Sequence, residues 1–265
     1  MKRLLGVSLT GLALLSGSAR AADLPVAPAP AYKAPAVVAP AYNWSGFYLN
    51  AGGGFGLWNA DTQRFNSAGG CVDCFVNTVG GRGYIGTVGG GFDYQLGSIG
   101  LGGWNPTFVV GVLGDYNFES LKGTMLGGAF VGIGSVSSQI KETNAWSAGG
   151  RVGVAFGSGF FAYTSGGATG TRFGGTSFVS DVTGAPVGIS TAAFTKVGYF
   201  LGGGTETSLA SILPVGWFLR SEYRYDYFNT INVPVAGVAA PGLTIGWHPV
   251  VQTLTTSLMY KFNWQ

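Results

Sequence analysis

Few residues in this chain are equipped for chemistry. Its 265 residues include two cysteines, one histidine, 14 basic and 11 acidic side chains. The cysteines sit close together, in Cys71-Val72-Asp73-Cys74. That spacing suits either a thiol–disulfide centre or a local disulfide staple. In an exported chain the staple is favoured, because oxidising compartments keep such pairs bridged. His248 follows Trp247 and has no Ser or Asp partner motif beside it, so a triad reading lacks support. Structural metal sites generally want four Cys or His ligands, so neither a metal nor any other cofactor is expected. The glycine runs lack the Gly-Lys-Ser/Thr ending of a phosphate loop. The densest group of charges is Arg220, Glu222, Arg224 and Asp226, spaced two apart within Trp217 to Phe228. The alternate positions are Trp217, Leu219, Ser221, Tyr223, Tyr225 and Tyr227. A strand sends these two sets to opposite faces, one charged with alternating sign and the other aromatic.

The rest of the composition says where such a strand belongs. Only 9% of the chain is charged, 46% is hydrophobic and 48 residues are glycine. Roughly a quarter of a soluble domain is charged, so an ordinary cytosolic enzyme is a poor fit. Disorder is a poor fit too, because aromatic residues are plentiful. Lys2 and Arg3, an apolar core from Leu4 to Leu15, and Ala19-Arg20-Ala21 follow the pattern of a signal peptide over 1–21. Cleavage there removes three of the 14 basic residues and leaves 11 against 11 acidic ones. The basic balance thus belongs to the precursor, and no nucleic-acid partner is indicated. Residues 22–42 hold five of the eleven prolines and read as an extended periplasmic linker.

From residue 43 onward the pattern has a period of two. Charge-free windows such as Tyr94 to Gly114 contain too many glycines and a proline to be helices. Eight strands are expected near 44–57, 83–96, 107–118, 142–156, 160–170, 194–208, 216–228 and 249–264. Long connections (58–82, 119–141, 171–193, 229–248) alternate with shorter ones (97–106, 157–159, 209–215). That alternation predicts an all-β fold over 43–265: an eight-stranded antiparallel up-and-down transmembrane β-barrel with short periplasmic turns and long extracellular loops. A ten-stranded barrel is the alternative, with Gly123 to Ser138 as a further hairpin. The preferred reading makes that segment a strand extension above the membrane.

The expected faces assign roles. Trp44, Trp58, Trp104, Trp146, Trp217, Trp247 and Trp264 fall in or near strand ends, where amphipathic rings form an aromatic girdle at the membrane–water interface. Inward charges are Asp93, Asp115, Arg151, Glu206, Arg220, Glu222, Arg224, Asp226 and Lys261. An eight-stranded barrel is narrow enough to be filled by side chains. These nine are therefore expected to pair and close the lumen, and removing Arg220 and Arg224 is expected to open it.

The opening Asn43-Trp44-Ser45-Gly46-Phe47-Tyr48 resembles the alphaproteobacterial outer-membrane immunogenic proteins, also called the porin family, whose barrels are similar to the OmpA transmembrane domain. Gly114-Asp115-Tyr116, Glu222-Tyr223-Arg224-Tyr225 and the terminal Tyr260-Lys261-Phe262 carry the same resemblance. Leu113 departs from it, standing where an acidic lumen residue is commoner. The chain also continues past Phe262 to Trp264 and Gln265, which shifts the aromatic ending by two. The resemblance implies a C-terminal insertion signal, Tyr260, Phe262 and Trp264, read by the barrel-assembly machinery.

Together these readings predict a non-enzymatic outer-membrane protein of a Gram-negative cell, with a structural, envelope-integrity and surface-exposed role. Passive diffusion of small solutes is the first alternative, and a surface adhesin or ligand binder the second. Expected partners are outer-membrane lipid and lipopolysaccharide. The uncharged last loop, rich in Ile, Val and Leu, suggests an envelope or host surface, or else loops packed on one another.

Overall fold

The computed structural model describes residues 43–98, 106–130, 134–157, 159–237 and 242–263. The signal peptide, the proline-rich linker, Trp104 and Trp264 lie outside the described residues. These form β1 (Gly46–Phe65), β2 (Cys71–Ser98), β3 (Thr107–Phe130), β4 (Gly134–Phe156), β5 (Phe160–Phe173), β6 (Thr176–Ser180), β7 (Pro186–Thr191), β8 (Phe194–Ser208), β9 (Trp217–Tyr227), β10 (Ile231–Ala236) and β11 (Thr244–Asn263).

Eight of the strands close on themselves. The hydrogen-bonded order runs β1-β2-β3-β4-β5-β8-β9-β11, and β11 pairs back to β1 from Gly46↔Asn263 to Phe65↔Thr244. Every pairing in this ring is antiparallel. Following partners from Leu57 through Gln252, Tyr225, Leu201, Gly166, Gly150, Val112 and Phe92 returns to β1 at Phe47. The path lands ten residues below its start (57 to 47), and this stagger tilts the strands around the barrel axis.

Alternation along each strand sets the two faces. On β9, Phe218, Arg220, Glu222, Arg224 and Asp226 are buried, while Leu219, Tyr223 and Tyr225 are exposed. On β1, Tyr48 and Asn50 point in, and Phe47, Leu49, Phe55 and Leu57 point out. The outer surface is thus apolar around the ring, as lipid contact requires.

Much of what the sequence reading assigns to long loops is strand. β1 and β2 continue to Phe65 and Cys71, joined by a tight turn in which the Asn66 side-chain oxygen accepts hydrogen bonds from the Ala68 and Gly70 amides. Gly69 in that turn has φ +76, a conformation favouring glycine. Gly123 to Ser138 extends β3 and β4 and adds no strand to the ring. Over 171–193 the chain makes β6 and β7, and over 229–248 it makes β10, which pairs with both β11 and β7. Continued alternation explains the extension: inward Trp58, Ala60 and Thr62 carry the inner face upward on β1.

This upper structure has its own core. Phe178, Ile189, Val233, Val235 and Ile245 are buried together, with Ile231 and Leu243 packed against them. Of the two readings offered for the last loop, these residues follow the one in which loops pack on each other.

Glycines allow the strands to come close. Gly149 pairs with Gly167, and a Cβ at Gly149 would lie 2.3 Å from the Gly166 carbonyl oxygen. Gly86, by contrast, has nothing within 4 Å of a Cβ position. Gly149→Ala should therefore destabilise the barrel by about 1–3 kcal/mol, and Gly86→Ala should be close to neutral. The temperature at which the compact, heat-modifiable gel band disappears measures both.

Candidate functional site

The inward faces converge on a column of charge. Toward the periplasmic end, β4 supplies Arg151, β2 Asp93, β8 Glu206 and β11 Lys261, all fully enclosed. Arg151 grips Asp93 through Nε at 2.9 Å and Nη2 at 2.6 Å, and reaches Glu206 at 2.5 Å. Lys261 Nζ lies 2.7 Å from Asp93 and 3.1 Å from Glu206. Two cations and two carboxylates thus form a closed square. Aromatic faces line it, with Arg151 4.4 Å from the Tyr48 ring centre and Lys261 4.6 Å from that of Trp44. Such rings stabilise a desolvated cation through their quadrupoles.

A second tier lies above. Glu222 bridges Arg220 and Arg224, and Arg224 Nη2 also reaches Asp115 at 2.5 Å. Remaining bonding capacity is met by neutral groups. Tyr163 and Ser165 donate hydroxyls to Glu222 at 3.1 and 3.0 Å, and Arg220 Nε donates to Tyr163 at 2.7 Å. Arg224 donates to Ser147 at 2.9 Å. Buried ion pairs are tolerable only when their leftover donors and acceptors are satisfied in this way. Inward glycines make the room: a Cβ at Gly89 would lie 2.1 Å from Asp115 Oδ1, and one at Gly111 would lie 2.3 Å from Asp93 Oδ1. A cavity of about 10 Å³ remains beside Asn50, Asp115 and Arg224, enough for about one water.

All nine charges expected in the lumen are buried. Eight of them share ion pairs. Asp226 makes none among the described residues. It instead sits below the upper core with Glu119 and Glu142, which also influence one another. Thr171 donates its hydroxyl to Glu142. Both Glu119 oxygens, Glu142 Oε2 and Asp226 Oδ1 lack a hydrogen-bond partner among the described residues. Glu119 falls at the start of the expected loop 119–141. Its parity with buried Asp115 and Asn117 was the available signal, and Tyr48, Tyr163, Ser147 and Ser165 could have been found by the same parity.

Hydrophobic clusters seal the column at both ends. Below lie Trp44, Phe161, Phe218 and Met259, while Tyr48 and Tyr163 of the same cluster stand beside the charges. Above, Trp58, Phe173 and Trp247 meet with ring centres 5.4–5.9 Å apart, and Trp58 Nε1 donates to the Leu121 carbonyl at 3.2 Å. This corrects the girdle assignment for Trp44, Trp58 and Trp247. They share a face with Tyr48 on β1 and with Lys261 on β11, and therefore point inward. Trp146 is exposed and Trp217 half-buried, on the outer face. Most of the outer aromatic surface is tyrosine and phenylalanine, including Tyr84, Phe118, Tyr199 and Tyr223 toward the external side.

A closed ring of tilted antiparallel strands, apolar outside and charged inside, satisfies every backbone group of its spanning segments in a hydrocarbon layer. The chain is a membrane-spanning β-barrel of the outer-membrane type. Among the described residues no helix is long and apolar enough to cross a membrane. The Tyr260 and Phe262 rings meet edge-on, with centres 4.8 Å apart, on the last strand of the barrel.

The remaining candidates lie apart from the column. Cys71 begins β2, while the Cys74 side chain lies outside what is described. His248 is half-buried on β11, its ring meeting Tyr227 edge-on at 5.1 Å. Among the described residues no group of three or more His, Cys, Asp or Glu side chains is arranged to hold a metal ion.

No protein-family model matches the chain, and no curated protein matches it. Among solved structures, Neisserial surface protein A is 15% identical, over 82% of this chain and 98% of its own, with a TM-score of 0.34. The outer membrane protein OprG from Pseudomonas aeruginosa is 13% identical over 84% and 99%, with a TM-score of 0.46. The outer membrane protease OmpT from Escherichia coli is 10% identical over 82% and 97%, with a TM-score of 0.42.

The lower square fixes an expectation. Arg151→Ala leaves Asp93 and Glu206 facing a single cation, and breaking a buried ion pair from one side costs about 3–5 kcal/mol. The variant barrel should lose its compact gel band at a lower temperature and urea concentration than the parent.

Proposed function

We propose that this barrel is a non-enzymatic, structural element of the outer membrane, contributing to envelope integrity and exposing its upper strands at the cell surface. The observation that carries this reading is the double seal: two tiers of paired charge held between two hydrophobic plugs. A solute passing through would have to displace both plugs and desolvate the ion pairs between them. The packing therefore speaks against passive diffusion of small solutes. An adhesin role would draw on the upper strands, but their apolar residues are largely used in packing. The narrower kinship with immunogenic, OmpA-like porin-family proteins rests on the opening Trp44-Ser45-Gly46-Phe47-Tyr48 and the closing Tyr260-Lys261-Phe262. That kinship supports recognition of the last strand, through Tyr260, Phe262 and Trp264, by the barrel-assembly machinery.

Conductance in planar bilayers tests the closed lumen. The parent protein should show no stable openings. Arg220→Ala with Arg224→Ala removes cations from the upper tier but leaves Trp58, Phe173 and Trp247 above and the lower square beneath. The structure thus changes the simple expectation, and this double variant should also stay closed. Openings should appear once Trp58→Ala, Trp247→Ala and Arg151→Ala are added to it. A large, steady conductance in the parent would replace the structural reading with the diffusion one.

Cys71 and Cys74 are proposed to close a disulfide staple at the tip of β2. In a regular strand, residues three apart are about 10 Å apart, beyond disulfide reach. Here the β1–β2 register slips twice, from Thr62↔Asn77 to Arg64↔Asp73 and then to Phe65↔Cys71, which gathers extra residues into that stretch. No free cysteine occurs among the described residues. Intact-mass measurement without reductant should show the loss of two hydrogens, and labelling by a thiol reagent should be absent.

A further inference from the structure

The lumen takes four of the ten basic residues in the described segments, and four of the others gather on the outside. Arg82 on β2, Lys122 on β3, Lys141 on β4 and Arg172 on β5 share the outward face of four consecutive strands. Register places them side by side: Arg82 pairs with Lys122, Lys122 with Lys141, and Arg172 with Asn144 just below. Beneath the first three come the exposed aromatics Tyr84, Phe118 and Trp146, which mark the upper end of the lipid-facing band. The row therefore lies at the headgroup level of the outer leaflet.

Directly opposed like charges on neighbouring strands are destabilising unless something neutralises them. None of these four side chains makes an ion pair among the described residues. Seven carboxylates are committed to the interior. Asp61 is held by Thr78 four residues further up β2, and Asp181 by Ser135 in the upper structure. The balanced mature chain is thus sorted by folding into an acid-rich interior and a cationic outer rim.

The row ends at a groove. A depression of about 590 Å³ on the outer surface has Arg82 at its edge and Phe55, Leu57, Tyr84, Tyr223 and Leu254 along it. The Phe55–Tyr84 pair, with ring centres 5.1 Å apart, and the Tyr223–Gln252 hydrogen bond of 2.7 Å border it. Its walls are apolar and face hydrocarbon, so it suits an acyl chain. Three interstrand steps make the cationic row about 14 Å long, which is more than one phosphodiester headgroup can engage. A disaccharide headgroup with a phosphate at each end, carrying several acyl chains, matches both features.

We propose that this face binds the phosphorylated lipid anchor of lipopolysaccharide, with phosphates on Arg82, Lys122, Lys141 and Arg172 and one acyl chain in the groove beside Arg82. The inference rests on the outer surface and is independent of the closed lumen. A failure here would leave the conductance result untouched.

Native mass spectrometry of the refolded, detergent-held barrel tests it, with diphosphoryl lipid A as the probe. Phosphatidylglycerol and fully dephosphorylated lipid A serve as comparisons. The parent should bind diphosphoryl lipid A at least about tenfold more tightly than either, with affinity falling as salt rises. The variant R82Q/K122Q/K141Q/R172Q should lose about tenfold or more. R64Q/K196Q, which removes two cations outside the row, should bind as the parent does. Heat-modifiable migration shows that each variant has folded, and any single substitution from the row stands in if the quadruple one has not. Undiminished binding by the row variants, an equal loss in R64Q/K196Q, or equally tight phosphatidylglycerol would overturn the proposal.

Discussion

Closure of the ring by β1 against β11 is the constraint on which the rest depends. In hydrocarbon an unpaired amide or carbonyl has no water to turn to. The twenty-residue pairing from Gly46↔Asn263 to Phe65↔Thr244 removes the last open edge. Once the ring is closed, the period of two has only one meaning, because every side chain points either to lipid or into a confined lumen. The stagger of ten residues around the ring then decides which inward groups stand at the same height.

That confinement explains the chemistry of the interior. Charges sent into a narrow tube cannot reach bulk water, so they need one another. Arg151, Asp93, Lys261 and Glu206 come from four different strands yet complete one square. Arg220, Glu222, Arg224 and Asp115 complete a second group with hydroxyls from Tyr163, Ser165 and Ser147. Glycines at 89 and 111 leave the space these side chains occupy. The tryptophans at both ends exclude water, which strengthens each pair and makes the loss of one partner more damaging.

The same sorting shapes the outside. With most carboxylates drawn inward, Arg82, Lys122, Lys141 and Arg172 on β2 to β5 make no ion pair among the described residues, and they stand just above the exposed aromatics of the lipid-facing band. A barrel with a filled lumen presents its lipid-facing surface to its surroundings. The inner network and the outer row are thus two consequences of one partition of charge.

The sequence by itself determined the strand period, the eight-membered ring and the identity of nine of the eleven buried charges. Alternation is a local property, and each strand displays it without reference to its neighbours. It also held the parity that sends Trp58 and Trp247 inward, although their position near strand ends suggested an interfacial belt. Only the tertiary structure decided which charges meet, that Asp226 joins Glu119 and Glu142 rather than an arginine, and that the supposed loops continue as paired strands. It alone aligned Arg82, Lys122, Lys141 and Arg172. Those facts depend on register and shear between strands far apart in the chain. A pattern of period two fixes which way a side chain points, but not its height in the barrel or what stands beside it.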